Sequence, residues 1–157
     1  MKTEIVYLPI EKLHPYANNP RINDDAVDIV AKSIQNFGFK NPIVCTDDYE
    51  IINGHTRHKA AQKLGIKEVP CIIASDLTKE QIMAFRIADN RTSELSVWDD
   101  EKLRIEIAEL ENLGVNIEDT AFAEKDLEEL MNIVEDINDE AKFMDVEGVE
   151  GAKKKDG

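Results

Sequence analysis

The residues with the most chemistry in them lie close together, in Ile51-Ile52-Asn53-Gly54-His55-Thr56-Arg57-His58-Lys59-Ala60-Ala61. Their order reads as the end of a strand, a tight Asn-Gly turn and the first turns of a helix. That arrangement aims free backbone N–H groups and the positive end of a helix dipole at one spot, which suits an anion. Gly54 permits the turn and a close approach to a ligand. At helical spacing, Arg57 shares a face with Ala60, Ala61 and Leu64. A cation on an apolar face, in the turn where the dipole opposes it, needs an anionic partner. A bound phosphate is one candidate and a neighbouring Asp or Glu is the other; spacing does not choose between them. His55 could contact that phosphate or relay protons, or be a simple polar residue at a helix start. His55 and His58 are spaced to share a metal, but no third ligand is evident, and exposed side chains are the plainer reading.

The elements that must hold this turn are legible on both sides of it. Ile5-Val6-Tyr7-Leu8 reads as a first strand, followed by the loop Tyr16-Ala17-Asn18-Asn19-Pro20-Arg21. Asn23 can cap the next helix, with Asp24 and Asp25 in its first turn. Val27, Val30, Ile34 and Phe37 make one apolar stripe, and Gly38 ends the helix. Pro42–Thr46 and Tyr49–Ile52 read as strands joined by a two-residue turn at Asp47-Asp48. Gly65 ends the helix that opens at Gly54. Val69–Ala74 is a further strand, in which Pro70 favours the first positions or a sheet edge. Thr78-Lys79-Glu80-Gln81 is a capping box, and its helix runs through Ile82, Met83, Phe85 and Ile87 to Asp89, Asn90 and Arg91. Asp99 caps a helix with Leu103, Ile107, Leu110 and Leu113 on one side. Leu127, Leu130, Met131, Val134 and Ile137 mark another at helical spacing. Trp98 is expected to anchor these later helices and not to stack on a base.

In order, these motifs resemble the ParB/sulfiredoxin superfamily. The nucleotide-binding box of ParB runs Gly-Glu-Arg-Arg-x-Arg-Ala, and Gly54, Arg57 and Ala60 match it while Lys59 keeps the last charge. The box's Glu and first Arg are His55 and Thr56. Sulfiredoxins carry a Cys where this chain has His55, which excludes sulfiredoxin-type cysteine chemistry there. The Pro20-Arg21 loop, Ala31-x-Ser33-Ile34 through Gly38, Pro42-Ile43-Val44 and Tyr49-Glu50-Ile51-Ile52 continue the ParB pattern, across roughly residues 5–98. Asp89-Asn90 resembles the Glu-Asn of a second ParB nucleotide motif, whose Arg would fall at Ser93; Arg91 could replace it. Ala88-Asp89-Asn90-Arg91-Thr92-x-Glu94 before Trp98-Asp99 resembles phage ParB-like domains that precede DNA methyltransferases.

The resemblance implies an α/β (α+β) fold, a small mixed sheet with helices over 1–98; periodicity and charge then read as an acidic helical appendage over 99–137 and a disordered tail over 138–157. It implies a nucleoside triphosphate, CTP or ATP, held at Arg21, Asn53, Gly54, His55, Thr56, Arg57, Lys59, Asn90 and Arg91. Mg²⁺ would come with the phosphates to Asp89, Asn90 and Glu94. The expected role is in phage or mobile-element DNA transactions, touching DNA directly or through a fused or partner protein such as a methyltransferase. The alternatives are a nuclease, a kinase like the free-serine kinases with Glu50, Glu68 or His55 as catalytic groups, or an interaction module whose nucleotide site has decayed. The bland reading makes Glu50 or Glu68 the partner of Arg57, and Asp89 and Asn90 a helix end. No helix-turn-helix signature appears where ParB proteins place theirs, and the C-terminal helical stripes could pair two copies.

Composition narrows the setting. The chain has 157 residues and a formal net charge of −14. Residues 1–100 hold 12 Lys and Arg against 15 Asp and Glu, while residues 101–157 hold 7 against 18. DNA phosphates repel the acidic third, so contact with nucleic acid needs a local basic patch or a partner. No apolar run approaches the roughly 20 residues of a membrane span. The Met1-Lys2-Thr3-Glu4 start lacks a signal-peptide core, so a cytoplasmic protein is expected. Cys45 and Cys71 sit in strand-like runs without a Cys-x-x-Cys and read as reduced core residues. A chain ending Lys153-Lys154-Lys155-Asp156-Gly157 could be a piece of a longer one.

Overall fold

The computed structural model describes residues 2–22, 24–132 and 139–141. Asn23 as a helix cap, Val134 and Ile137 in the last stripe, and most of the tail over 138–157 lie outside them. The chain divides into two compact units, Met1–Val97 and a second beginning at Trp98. No helix among the described residues is long and apolar enough to cross a membrane.

The first unit is built on a four-stranded mixed sheet. Its strands are β1 (Val6–Pro9), β2 (Ile43–Cys45), β3 (Ile51–Asn53) and β4 (Glu68–Ile73), in the order β1-β4-β2-β3. β4 runs antiparallel to β1 and parallel to β2, and β2 runs antiparallel to β3. The helices are α1 (Val27–Phe37), α2 (His55–Lys63) and α3 (Lys79–Glu94). Leu13, Ile43, Cys45, Ile51, Ala61, Val69 and Cys71 form the buried core, which Leu8, Ile10, Phe39, Ile66 and Ile73 complete. Ala60 and Ala61 are wholly buried, so α2 lies close on the sheet because its inward residues are small. Cys45 and Cys71 are buried free thiols.

Local chemistry sets most boundaries. Gly38 takes φ +84° and its N–H bonds the Ile34 carbonyl, ending α1. Gly65 takes φ +71° after α2, where its N–H reaches the Gln62 carbonyl and the Ile66 N–H reaches Ala61, the paired bonds of a Schellman stop. The Thr78 hydroxyl accepts the Gln81 N–H while the Gln81 side chain accepts the Thr78 N–H, which starts α3.

Two expectations need correction. The hairpin loop is one residue longer than Asp47-Asp48. The Tyr49 N–H closes a turn on the Thr46 carbonyl, and Tyr49 then takes a left-handed φ of +66°. Pro70 lies inside β4, an interior strand. It is tolerated because the ladder with β2 begins only at Cys71, leaving β1 as the one strand beside Pro70. The apolar stripe on α1 is only half-buried at Val27, Val30 and Ile34; Ala31, beside it, is the buried residue of α1, and Phe37 is 54% exposed.

The second unit holds α4 (Asp100–Asn112), a short 3-10 turn (Ile117–Thr120) and a helix over 124–132. The Asp99 carboxylate caps α4 by accepting the Lys102 N–H. Ile107, Ile117 and Leu130 form its core with Leu103, Leu110 and Leu127, and Trp98 meets Phe122 edge-on with ring centroids 5.6 Å apart. Leu113, one residue past the end of α4, is exposed and adds nothing to that core.

Gly54 joins β3 to α2 at φ +107° and ψ +24°, a conformation that side chains with a Cβ rarely adopt. A Cβ there would stand 3.1 Å from Ile43 Cγ1 and 3.3 Å from Arg57 Nη2. Gly54→Ala should therefore lower the unfolding free energy by about 1–3 kcal/mol, read from the urea midpoint. Gly65→Ala meets no atom within 4 Å and should cost less.

Candidate functional site

The Gly54 junction opens one wall of a cleft. α2 starts with no side-chain cap on its first N–H groups and no acidic residue in its first turn. Its positive end is left without the compensation that helices usually carry there. The cleft has a volume of about 600 Å³. Asn53, Gly54, His55, Thr56 and Arg57 line it, together with residues of α1 and of the segment after it. Arg21, Lys40 and Arg57 bring positive charge to its lining, which includes no carboxylate residue. On a chain this acidic, that is a local inversion of sign.

Each cation has a particular setting. Arg57 donates from Nη1 to the Asn41 carbonyl at 3.1 Å. Burial disfavours its charge and the Asp89 carboxylate favours it. Arg21 donates from Nη1 to Asn90 Oδ1 at 3.2 Å and lies 3.8 Å from Glu94, so it ties the loop after Pro20 to α3. Lys40 packs over Gly38, where an added Cβ would meet its Nζ at 3.2 Å.

α3 supplies the remaining polar frame. Asn53 Nδ2 donates to Asp89, linking the end of β3 to α3. Asn90 Nδ2 donates to the Arg86 carbonyl, which fixes its Oδ1 for Arg21. Arg86 is 3% exposed and is the residue on which this side of the sheet turns. Its guanidinium lies 3.6 Å above the Tyr16 ring and donates to the Ile51 carbonyl and to Glu50. Sequence reading passed over Arg86. Its one signal was a cation between Phe85 and Ile87 in an apolar stretch, and its partners come from distant segments.

The sequence candidates therefore separate. Arg21, Asn53, Gly54, His55, Thr56, Arg57 and Asn90 meet at the cleft, with Asp89 behind Asn53. Lys59 turns away to Asp24 at 2.6 Å, and Arg91 pairs with Glu94 at 3.1 Å; neither lines the cleft. Glu50 is held by Arg86, and Glu68 is exposed at the start of β4 opposite Pro9. Arg57 takes neither as its partner. Among the described residues, no three His, Cys, Asp or Glu side chains gather as a metal cage. Glu94 is already engaged with two arginines. Asp89 accepts from Asn53 and does not line the cleft, and Asn90 Oδ1 accepts from Arg21, so a Mg²⁺ here would be carried by phosphate oxygens and water.

The two histidines are buried, contrary to their reading as exposed helix-start residues. His55 Nε2 accepts the Tyr16 N–H at 3.2 Å, which places the ring proton on Nδ1. Burial, and then the charges of Arg86, His58 and Lys59, lower its pKa to about 4. Burial also lowers the pKa of His58, against a hydrogen bond to the Ile10 carbonyl that raises it. Both rings are thus neutral anchors between α2 and the segments before it. Unfolding releases His55 to its ordinary pKa of 6.5, so below that pH the unfolded chain binds the extra proton and stability falls. The loss grows as pH drops from 6.5 toward 4 and reaches, at most, about 3 kcal/mol. Between pH 7 and 5 the urea midpoint of the wild type should fall more steeply than that of His55→Asn; parallel profiles would contradict this role.

The comparisons with known proteins follow the same lines. A family model of the ParB N-terminal domain matches residues 1–91. The ParB-like nuclease domain-containing protein YnaK of Escherichia coli K12 is 43% identical over 81 residues, covering 51% of this chain and 93% of that protein. A nucleoid occlusion protein of Geobacillus sp. strain WCH70 is 32% identical over 118 residues, covering 71% of this chain but 42% of its own length. The chain thus spans under half of that larger relative. The crystal structure of the C-terminally truncated chromosome-partitioning protein ParB from Caulobacter crescentus, complexed with CTP-gamma-S, superposes with a TM-score of 0.59 at 21% identity, covering 79% of this chain and 68% of that one. At that identity the likeness establishes the fold. With 91 of its 157 residues matched by the family model and nearly the whole length of YnaK covered, the chain belongs to the ParB N-terminal domain family.

Proposed function

We propose that the first unit is a nucleotide-binding module that serves DNA transactions. A nucleoside triphosphate would place its phosphates at the start of α2, against the N–H groups that follow Gly54 and between Arg57 and Arg21. The observation that carries this reading is the uncapped α2 terminus facing a cleft whose charged lining residues are all cations. The partitioning relative whose solved complex contains CTP-gamma-S supports a nucleotide, and the nucleoid occlusion relative supports a DNA-linked role. Mg²⁺ would neutralise part of the phosphate charge beside Asp89 and Asn90.

DNA contact is a second matter. The chain carries a net charge of −14, and the acidic second unit opposes a duplex. The proposal assigns DNA engagement to a local basic surface on the first unit or to a partner protein, a methyltransferase among them. A kinase-like reaction gains no support from the carboxylates. Glu50 is engaged by Arg86, and Glu68 lies outside the cleft lining.

Calorimetric titration with ATP, CTP, GTP and UTP, each with Mg²⁺, tests the site. The wild type should bind at least one of them saturably. Arg57→Ala should bind about 10–100-fold more weakly, the usual loss for a charge-assisted hydrogen bond to phosphate. Arg91→Ala should bind like the wild type. Absence of binding at millimolar nucleotide would remove the proposal, and equal affinity of wild type and Arg57→Ala would remove the assigned site.

A further inference from the structure

The apolar stripe of α1 is a helix face that the first unit covers only in part. Val27, Val30 and Ile34 are half-buried, and Phe37 ends the stripe at 54% exposure. An amphipathic helix normally turns such a face to the core. Here Val30, Ile34 and Phe37 line the same cleft as Gly54, and Ile22 joins them at 94% exposure. Phe39 also reaches the cleft but packs against the core, so its ring is already partnered. The cleft therefore has two chemistries in its lining. The start of α2, Arg21, Lys40 and Arg57 offer N–H groups and positive charge. Val30, Ile34, Ile22 and the open Phe37 ring offer apolar surface, with Ser33 and Asn41 also in the lining. A ligand that satisfies both carries an anionic group and a flat apolar face with polar edges.

We propose that Phe37 is a ligand-contacting residue that stacks the aromatic base of the bound nucleotide, an inference that rests on the nucleotide reading above. A free phosphate or a phosphorylated aliphatic metabolite would leave Phe37 and Ile22 wet. A nucleoside base covers them. Stacking uses the π-face that every base possesses, so Phe37 adds affinity for all four nucleotides, and discrimination among them falls to hydrogen-bonding groups at the base edge. The ring's exposure makes it replaceable without disturbing the core.

The test compares nucleotides with inorganic triphosphate, which has the anionic part alone. With Mg²⁺ present, Phe37→Ala should bind the preferred nucleoside triphosphate roughly tenfold more weakly than the wild type, near the lower end of base–aromatic stacking effects. Its affinity for inorganic triphosphate should not change. Phe37→Trp should keep nucleotide affinity, and the added indole fluorescence should be quenched by nucleotide and not by triphosphate. Unchanged nucleotide binding by Phe37→Ala would overturn the inference, as would an equal loss for nucleotide and triphosphate. If the wild type binds inorganic triphosphate but no nucleotide more tightly, the base subsite fails while the anion site stands. If the wild type binds neither, the nucleotide reading itself fails and takes this inference with it.

Discussion

Gly54 stands between a buried strand and a helix whose Ala61 joins the core of the sheet. Its left-handed backbone lets α2 begin directly above Ile43, within contact distance of where a Cβ would be. A capping side chain would satisfy the first N–H groups of α2 and close them to a ligand. Glycine leaves them open. Arg57, one turn further on, then has its guanidinium held by the Asn41 carbonyl near the same spot. The fold keeps a helix start and a cation together, an arrangement that Asp89 offsets in part and that favours a further anion.

The surroundings hold that arrangement in place. Arg86, buried over Tyr16 and bonded to Ile51, fastens α3 to the back of β3. The Asn53–Asp89 bond fastens the turn itself to α3. His55 and His58 add uncharged anchors on the other side, where a protonated ring would compound the positive charge. The ion pairs joining α2 to α1 and to the turn before it, Asp28–Lys63 and Asp24–Lys59, are exposed and contribute little stability. Their effect is on charge, because they neutralise α2's lysines outside the cleft and leave Arg21, Lys40 and Arg57 to define it.

What could be read from sequence was mostly what local hydrogen bonding decides. The Asn-Gly junction, the glycines at 38 and 65, the Thr78–Gln81 capping box and the Asp99 cap all carry their partners within a few residues. The box and its ordered neighbours also sufficed to place the chain in its superfamily. What depends on long-range packing was hidden. Periodicity located the apolar face of α1 but not what lies opposite it. Pro70 could be placed only once the strand order was known. Arg86 finds Tyr16 and Glu50 from distant parts of the chain, and the Asn41 carbonyl that holds Arg57 has no sequence signature. Glu50 and Glu68 flank the box in sequence, yet the sheet sends one to Arg86 and the other to exposed surface.

The central claim is that ligand phosphates sit on the backbone at the start of α2. A titration of isotopically labelled protein with each Mg-nucleoside triphosphate, followed through backbone amide resonances, reads that location directly. The account predicts that the Gly54, His55, Thr56 and Arg57 amides shift most and saturate together. Shifts that leave these four amides unmoved while other residues respond, or no shift at millimolar nucleotide, would contradict it.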